Sequence, residues 1–143
     1  MAYSPLMVQP MRDEVTRLGV EELRTPEAVD AFLAAADGPA LVFVNSVCGC
    51  AAGNARPALF LATRNPRCPA RRATVFAGQD PEATSRLREH FGAVAPSSPS
   101  FYVLDGGELK GHVPRSGIEG HSAEQVAAQL DRLFDTRADA ATG

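Results

Sequence analysis

The stretch "VNSVCGCAAGNARPA", residues 44–58, sets two cysteines on either side of one glycine at a point where the sequence changes periodicity. Upstream, "PALVFVNS" (39–46) is a continuous apolar run with β-branched and aromatic residues, the pattern of a strand buried on both faces. Downstream, "AAGNARPALFLATRN" (51–65) has helical spacing, and Pro57 is expected to kink that helix or limit its first part. Three readings of Cys48-Gly49-Cys50 stand side by side: half of a metal site, a redox pair, or burial of two small apolar residues.

Working outward, "PLMVQPMRDEVTRL" (5–18) places Leu6, Met7, Met11, Val15 and Leu18 at helical spacing, with a start expected near Pro10. "GVEEL" (19–23) reads as a short edge strand. "TPEAVDAFLAAADG" (25–38) opens a helix with Thr25 as N-cap and Pro26 behind it, and Gly38 stops it. A second buried strand is expected over Thr74–Ala77. "DPEATSRLREHFG" (80–92) follows as a helix with Asp80 as N-cap. "APSSPSFYVLDGGELKGHV" (95–113) predicts a hairpin across an Asp-Gly-Gly turn. "HSAEQVAAQLDRLF" (121–134) predicts an amphipathic helix, and "DTRADAATG" (135–143) a frayed polar tail.

The order is then helix, short strand, helix, strand, helix, strand, helix, hairpin, helix. Helices between the early strands supply parallel crossovers, and the late hairpin closes the sheet. With a cysteine pair where a strand feeds a helix, this is the plan of an α/β, thioredoxin-like fold, with a central mixed sheet of about four to five strands and helices on both faces. The expectation is one domain over residues 1–143, with 1–18 as an N-terminal helical extension and 135–143 as the tail.

Apolar residues make up 45% and charged residues 22% of the 143, a globular balance. The net charge of −3, the lack of Trp and only 6% aromatic residues argue against a nucleic-acid partner. No apolar run approaches a membrane span, and "MAYSPLMVQPMRDEV" is not a signal peptide, so a cytoplasmic location is expected. In a reducing compartment, close-set cysteines are more often catalytic or metal-binding than structural. Cys68, His90, His112 and His121 are further possible ligands, but no second paired knuckle accompanies them. Cys68, between two prolines in "RNPRCPARR", reads as an exposed bystander.

If Cys48 sits at the start of the helix, unsatisfied N–H groups and the helix dipole favour its thiolate. A bond to Cys50 needs a departure from helix geometry, which Gly49 allows, and the small ring would be strained and readily reduced.

"NSVCGCAAGNARPA", "TVFAGQDPEAT", "APSSPSF" and "PRSGIEGH" resemble the signature blocks of the bacilliredoxin family, and the match runs from "PMRDEV" to "DRLFD". The resemblance implies a thioredoxin-like fold and thiol–disulfide exchange through the CGC motif. Its implied task is removal of the low-molecular-weight thiol bacillithiol from S-bacillithiolated client proteins. Bacillithiol is then a co-substrate and no cofactor is bound. Disulfide isomerase-like activity is the alternative within the same chemistry, and a non-catalytic thioredoxin-like metal-binding module the alternative outside it. Cys48 becomes the attacking cysteine and Cys50 the resolving one. The fold further implies a cis peptide at Pro99, with Ser98 and Ser97 lining the groove across from the cysteines and Gly49. Asn45 and Ser46 read either as holding the loop or as plain strand-end polar residues, and Arg56 either as binding a carboxylate on bacillithiol or as a solvated helix residue. Two departures stand out. Family members often carry a cysteine near the C-terminus, which "DTRADAATG" lacks, and Ser116 stands where that block often has histidine.

Overall fold

In the computed structural model, which describes residues 3–35 and 38–142 (136–142 by backbone alone), five strands form one mixed sheet. The central strand, β2 (Pro39–Asn45), is the apolar run that precedes the cysteines. On one side it pairs in parallel with β3 (Arg71–Phe76), and β3 pairs in parallel with the two-residue edge strand β1 (Glu21–Glu22). On the other side it pairs antiparallel with β4 (Ser100–Asp105), which pairs antiparallel with β5 (Glu108–Val113). The strand order is β1-β3-β2-β4-β5.

Alternation along β2 sorts its side chains into two cores. Leu41 and Phe43 join Phe101 and Val103 of β4 beneath three helices: α1 (Pro5–Thr16), α3 (Arg56–Ala62) and α6 (Ala123–Thr142). Ala40, Val42 and Val44 join Ala73, Val75 and Tyr102 beneath α2 (Pro26–Ala35) and α4 (Pro81–His90). Phe43 and Phe101 stack at 4.8 Å across the β2–β4 pair. Gly111 of β5 lets α6 lie close, since a Cβ there would come within 2.5 Å of Leu133. The β4–β5 turn is Gly106-Gly107, both at positive φ (61° and 84°), the backbone a two-residue hairpin needs.

Several expectations are corrected. α1 starts at Pro5, and Pro10 lies inside it, where it forgoes the bond to the Leu6 carbonyl. β3 begins at Arg71 and ends at Phe76, because β2 offers partners from Ala40 to Asn45. Its two arginines are accommodated by their surroundings: Arg71 lies over the Phe32 ring at 4.4 Å, and Arg72 donates to the carbonyls of Leu18 and Pro69. Asp80 precedes α4 but makes no side-chain cap. Its carboxylate instead takes both Arg12 Nη atoms, at 2.8 and 3.2 Å, and so ties α1 to the start of α4. Thr25, by contrast, caps α2 through the Ala28 N–H at 3.1 Å. The stop expected for α2 at Gly38 is approached through residues 36–37, which lie outside the described residues. The tail read as frayed continues α6 as far as Thr142, as the alanines at 138, 140 and 141 favour. A short helix before it, α5 (Arg115–Ile118), has no periodic signal in the sequence.

Candidate active site

β2 delivers Asn45 and Ser46 to the end of the sheet, where both are buried and both are held by Arg56. Arg56 Nη1 donates to Asn45 Oδ1 (3.0 Å) and to the Ser46 carbonyl (2.8 Å), while its Nε donates to Glu14 of α1 (2.9 Å). Asn45 Oδ1 also accepts the Ser46 N–H at 2.9 Å, and its amide donates to the Met11 carbonyl. One arginine on α3 thereby fixes the loop that leads into the cysteines. The expectation of Arg56 beside the substrate is corrected by this geometry: the side chain is only 4% exposed, and its donors face inward.

After Val47 the chain turns into a helix. Cys50 precedes a π-helical turn, Ala51–Ala55, that runs directly into α3, so Pro57 lies inside a continuous helical run and withholds an N–H from the turn before it. The Cys48 carbonyl accepts the N–H groups of both Ala51 and Ala52. Cys48 and Cys50 are half-buried free thiols. Gly49 is exposed, does not adopt positive φ, and has open space where a Cβ would stand. The surface at Gly49 is therefore uncovered, and the conformational freedom of Gly49 is not drawn on with both thiols reduced.

Burial pushes the Cys48 thiol up, but four contributions more than offset it. The Ser46 hydroxyl, the backbone N–H groups of Ala51 and Cys50, and the positive charge of Arg115 all favour the thiolate, so Cys48 ionises below the ordinary thiol range. Ser46 acts twice here, since its Oγ also accepts the Cys48 N–H at 3.3 Å. Ser46→Ala in a Cys50→Ser background should raise the midpoint of Cys48 alkylation by iodoacetamide by about one pH unit. Because the thiolate is the reacting form, alkylation then fails at a higher pH as the solution is acidified. An unchanged midpoint would mean that the Ser46 hydroxyl does not support the thiolate.

Pairing of Val44 with Ser100 brings the segment before β4 alongside the end of β2. The Ser98–Pro99 peptide is cis, as the fold implied. Two arginines hold this segment by successive carbonyls: Arg88 donates to Ser97 O (3.3 Å) and Arg115 Nη1 to Ser98 O (3.1 Å). The Ser97 hydroxyl accepts the Arg115 N–H, and Ser100 Oγ donates to Ser97 O. Arg115 also reaches across to the cysteines, with Nη2 3.8 Å from Cys50 Sγ. It is the residue sequence reasoning missed. Its only signal was its place in "PRSGIEGH", because neither periodicity nor spacing links positions 50, 98 and 115.

The remaining candidates sit elsewhere. Cys68 is 8% exposed and belongs to the core under α3 and α6, so the exposed bystander of the sequence reading is corrected to a buried residue. His112 stacks on Tyr102 at 4.7 Å, and burial lowers its pKa. His90 pairs with Asp30 on the α2–α4 face, and His121 contacts the Glu119 carbonyl. Among the described residues, no three His, Cys, Asp or Glu side chains gather as a metal-ion cluster.

The sheet order and the cysteine-bearing junction at the end of its central strand define a thioredoxin-fold protein of the thiol–disulfide oxidoreductase type. Thioredoxin O2 of Arabidopsis thaliana in its oxidised state superposes with a TM-score of 0.56 (17% identity, 82% of this chain and 96% of that one). Another thioredoxin-fold structure gives 0.64 (13% identity, 80% and 92%). A family model described as disulphide isomerase matches residues 3–138. Bacilliredoxins of Geobacillus kaustophilus (51% identical, 94% of this chain and 96% of the relative) and Koribacter versatilis (48%, 99% and 97%) align along nearly the whole sequence. The chain belongs to this disulphide isomerase family, among its bacilliredoxins.

Proposed function

We propose that the protein removes bacillithiol from S-bacillithiolated client proteins by thiol–disulfide exchange at Cys48. The observation that carries this reading is the free, half-buried Cys48 thiol at the strand–helix junction, two residues from Cys50 across an exposed Gly49, with its pKa lowered by the Ser46 hydroxyl, backbone N–H groups and Arg115; the likeness to bacilliredoxins supports bacillithiol as the thiol removed. In the first step the Cys48 thiolate attacks the bacillithiol sulfur of the mixed disulfide. The bacillithiol becomes disulfide-bonded to Cys48, and the client leaves as a thiolate that takes a proton from water. In the second step the Cys50 thiolate attacks Cys48 Sγ, which releases bacillithiol and leaves a Cys48–Cys50 disulfide. External thiols then reduce that disulfide and are themselves oxidised to a disulfide.

Ser98 and Pro99 form the wall opposite the cysteines in this scheme, and Arg56 holds the loop from behind. The Ser98 carbonyl accepts from Arg115. The likeness to bacilliredoxins along nearly the whole chain supports a bacillithiol substrate over a protein disulfide isomerase reaction. No described helix is long and apolar enough to cross a membrane. In this proposal one thioredoxin-like domain, with α1 as an added helix, works on protein clients in the cytoplasm, and the net charge of −3 argues against nucleic acid as a partner.

The test is a single-turnover reaction with a bacillithiolated client. Wild-type protein should end as the internal disulfide with bacillithiol in solution, whereas Cys50→Ser should retain one bacillithiol on Cys48. Unchanged steady-state turnover in Cys50→Ser would remove Cys50 from the resolving role.

A further inference from the structure

We infer that Arg115 is a specificity-determining residue that selects small thiols carrying an acidic group, and that Glu119 occupies its place for that group until one binds. This rests on the reading of Cys48 and Cys50 as the exchanging thiols and adds the chemical class of what they accept. The guanidinium spans three groups at once. Nη1 is fixed on the Ser98 carbonyl at 3.1 Å, Nη2 lies 3.8 Å from Cys50 Sγ, and Nε meets Glu119 Oε2 at 3.3 Å. Its backbone is anchored as well, through the Arg115 N–H on Ser97 Oγ. The cation is thus held from one side, with its position relative to the sulfurs set by the β4 approach segment.

Its outward side is different. The side chain is 41% exposed and Glu119, one helical turn on, is 61% exposed, so the ion pair on Nε is open to solvent. Exposed pairs of this kind contribute little to stability and exchange readily. A carboxylate on an incoming thiol can replace that of Glu119 at Nε without uncovering a buried charge. Arg56, the other arginine close to the junction, is spent internally on Asn45, Ser46 and Glu14, so Arg115 is left to meet an anion. The chain's overall charge of −3 would otherwise repel acidic thiols, which gives a fixed cation at the sulfurs a selective effect.

Three small disulfides of different charge test this without bacillithiol: anionic dithiodipropionate, neutral hydroxyethyl disulfide and cationic cystamine. In each, the Cys48 thiolate attacks one sulfur, forms a mixed disulfide and expels the other half as a thiolate. The readout is the ratio of second-order rate constants, anionic over cationic. General loss of thiolate slows all three alike and cancels in the ratio. Wild-type protein should favour the anion in low salt, and Arg115→Gln should lower the ratio about tenfold. Arg115→Lys should keep most of it, and added salt should erode it in the wild type but not in Arg115→Gln. Glu119→Gln, at an exposed position, should raise the ratio about threefold by freeing the guanidinium. A ratio unchanged in Arg115→Gln, or Glu119→Gln lowering it, would overturn the proposal. These probes separate it from the bacillithiol reading. A charge ratio governed by Arg115 in a protein that leaves bacillithiolated clients untouched would remove the client reaction alone.

Discussion

Cys48→Ser is expected to abolish release of bacillithiol from a client, with a loss of at least about a thousandfold in turnover. The hydroxyl that replaces the thiol keeps roughly the same volume at a half-buried position, so the fold should persist. What disappears is the nucleophile whose thiolate is favoured by Ser46, the Ala51 and Cys50 N–H groups and Arg115. A serine hydroxyl gains far less from these donors, because it stays protonated throughout the accessible pH range. In wild-type protein, the rate should follow the Cys48 thiolate, rising with pH through a midpoint below that of an ordinary thiol and levelling above it. Measurable turnover in Cys48→Ser with an unaltered pH profile would place the chemistry on another residue.

The second large effect is on stability, in Arg56→Met. A methionine fills much of the space but removes three hydrogen bonds, to Glu14, Asn45 and Ser46. The buried Ser46 carbonyl and Asn45 Oδ1 each lose a charged donor, while half-exposed Glu14 can recover water. The expected loss is about 2–3 kcal/mol, or roughly 8 °C in Tm for a chain of this size. Arg56→Lys should recover little, since one ammonium cannot reproduce the planar arrangement that meets all three acceptors. Alkylation of Cys48 should slow as well, because the loop that carries Ser46 loses its anchor. Thermal unfolding by circular dichroism checks the first effect. A Tm within about a degree of wild type would show that the Arg56 network contributes nothing net.

The sequence made the site's frame legible where local chemistry determined it. The apolar run 39–46, rich in β-branched and aromatic residues and followed by helical spacing, read as a strand feeding a helix, and the Gly-Gly pair placed the hairpin. Thr25 capped α2 as its place before Pro26 indicated. Asp80 looked like the same kind of cap, but a buried arginine 68 residues away took its carboxylate. Arg56 likewise read as a solvated helix residue because its partners lie on other elements, Glu14 on α1 and Asn45 at the end of β2. Cys68 sits among prolines and arginines in sequence, yet it lies under α6 in the fold. In each case a contact between distant segments overrode the local pattern. The meeting of Arg115 with Ser98 and Cys50 is of the same kind, and it became visible only when β4 was placed beside β2.

The central claim is that Cys48 attacks the small-thiol half of a mixed disulfide. Intact-mass spectrometry of Cys50→Ser, quenched after one turnover with a bacillithiolated client, measures this directly. The expected product is the chain carrying a single bacillithiol on Cys48, with the client free and reduced. A covalent chain–client adduct with bacillithiol in solution would show attack on the other sulfur and contradict the assignment.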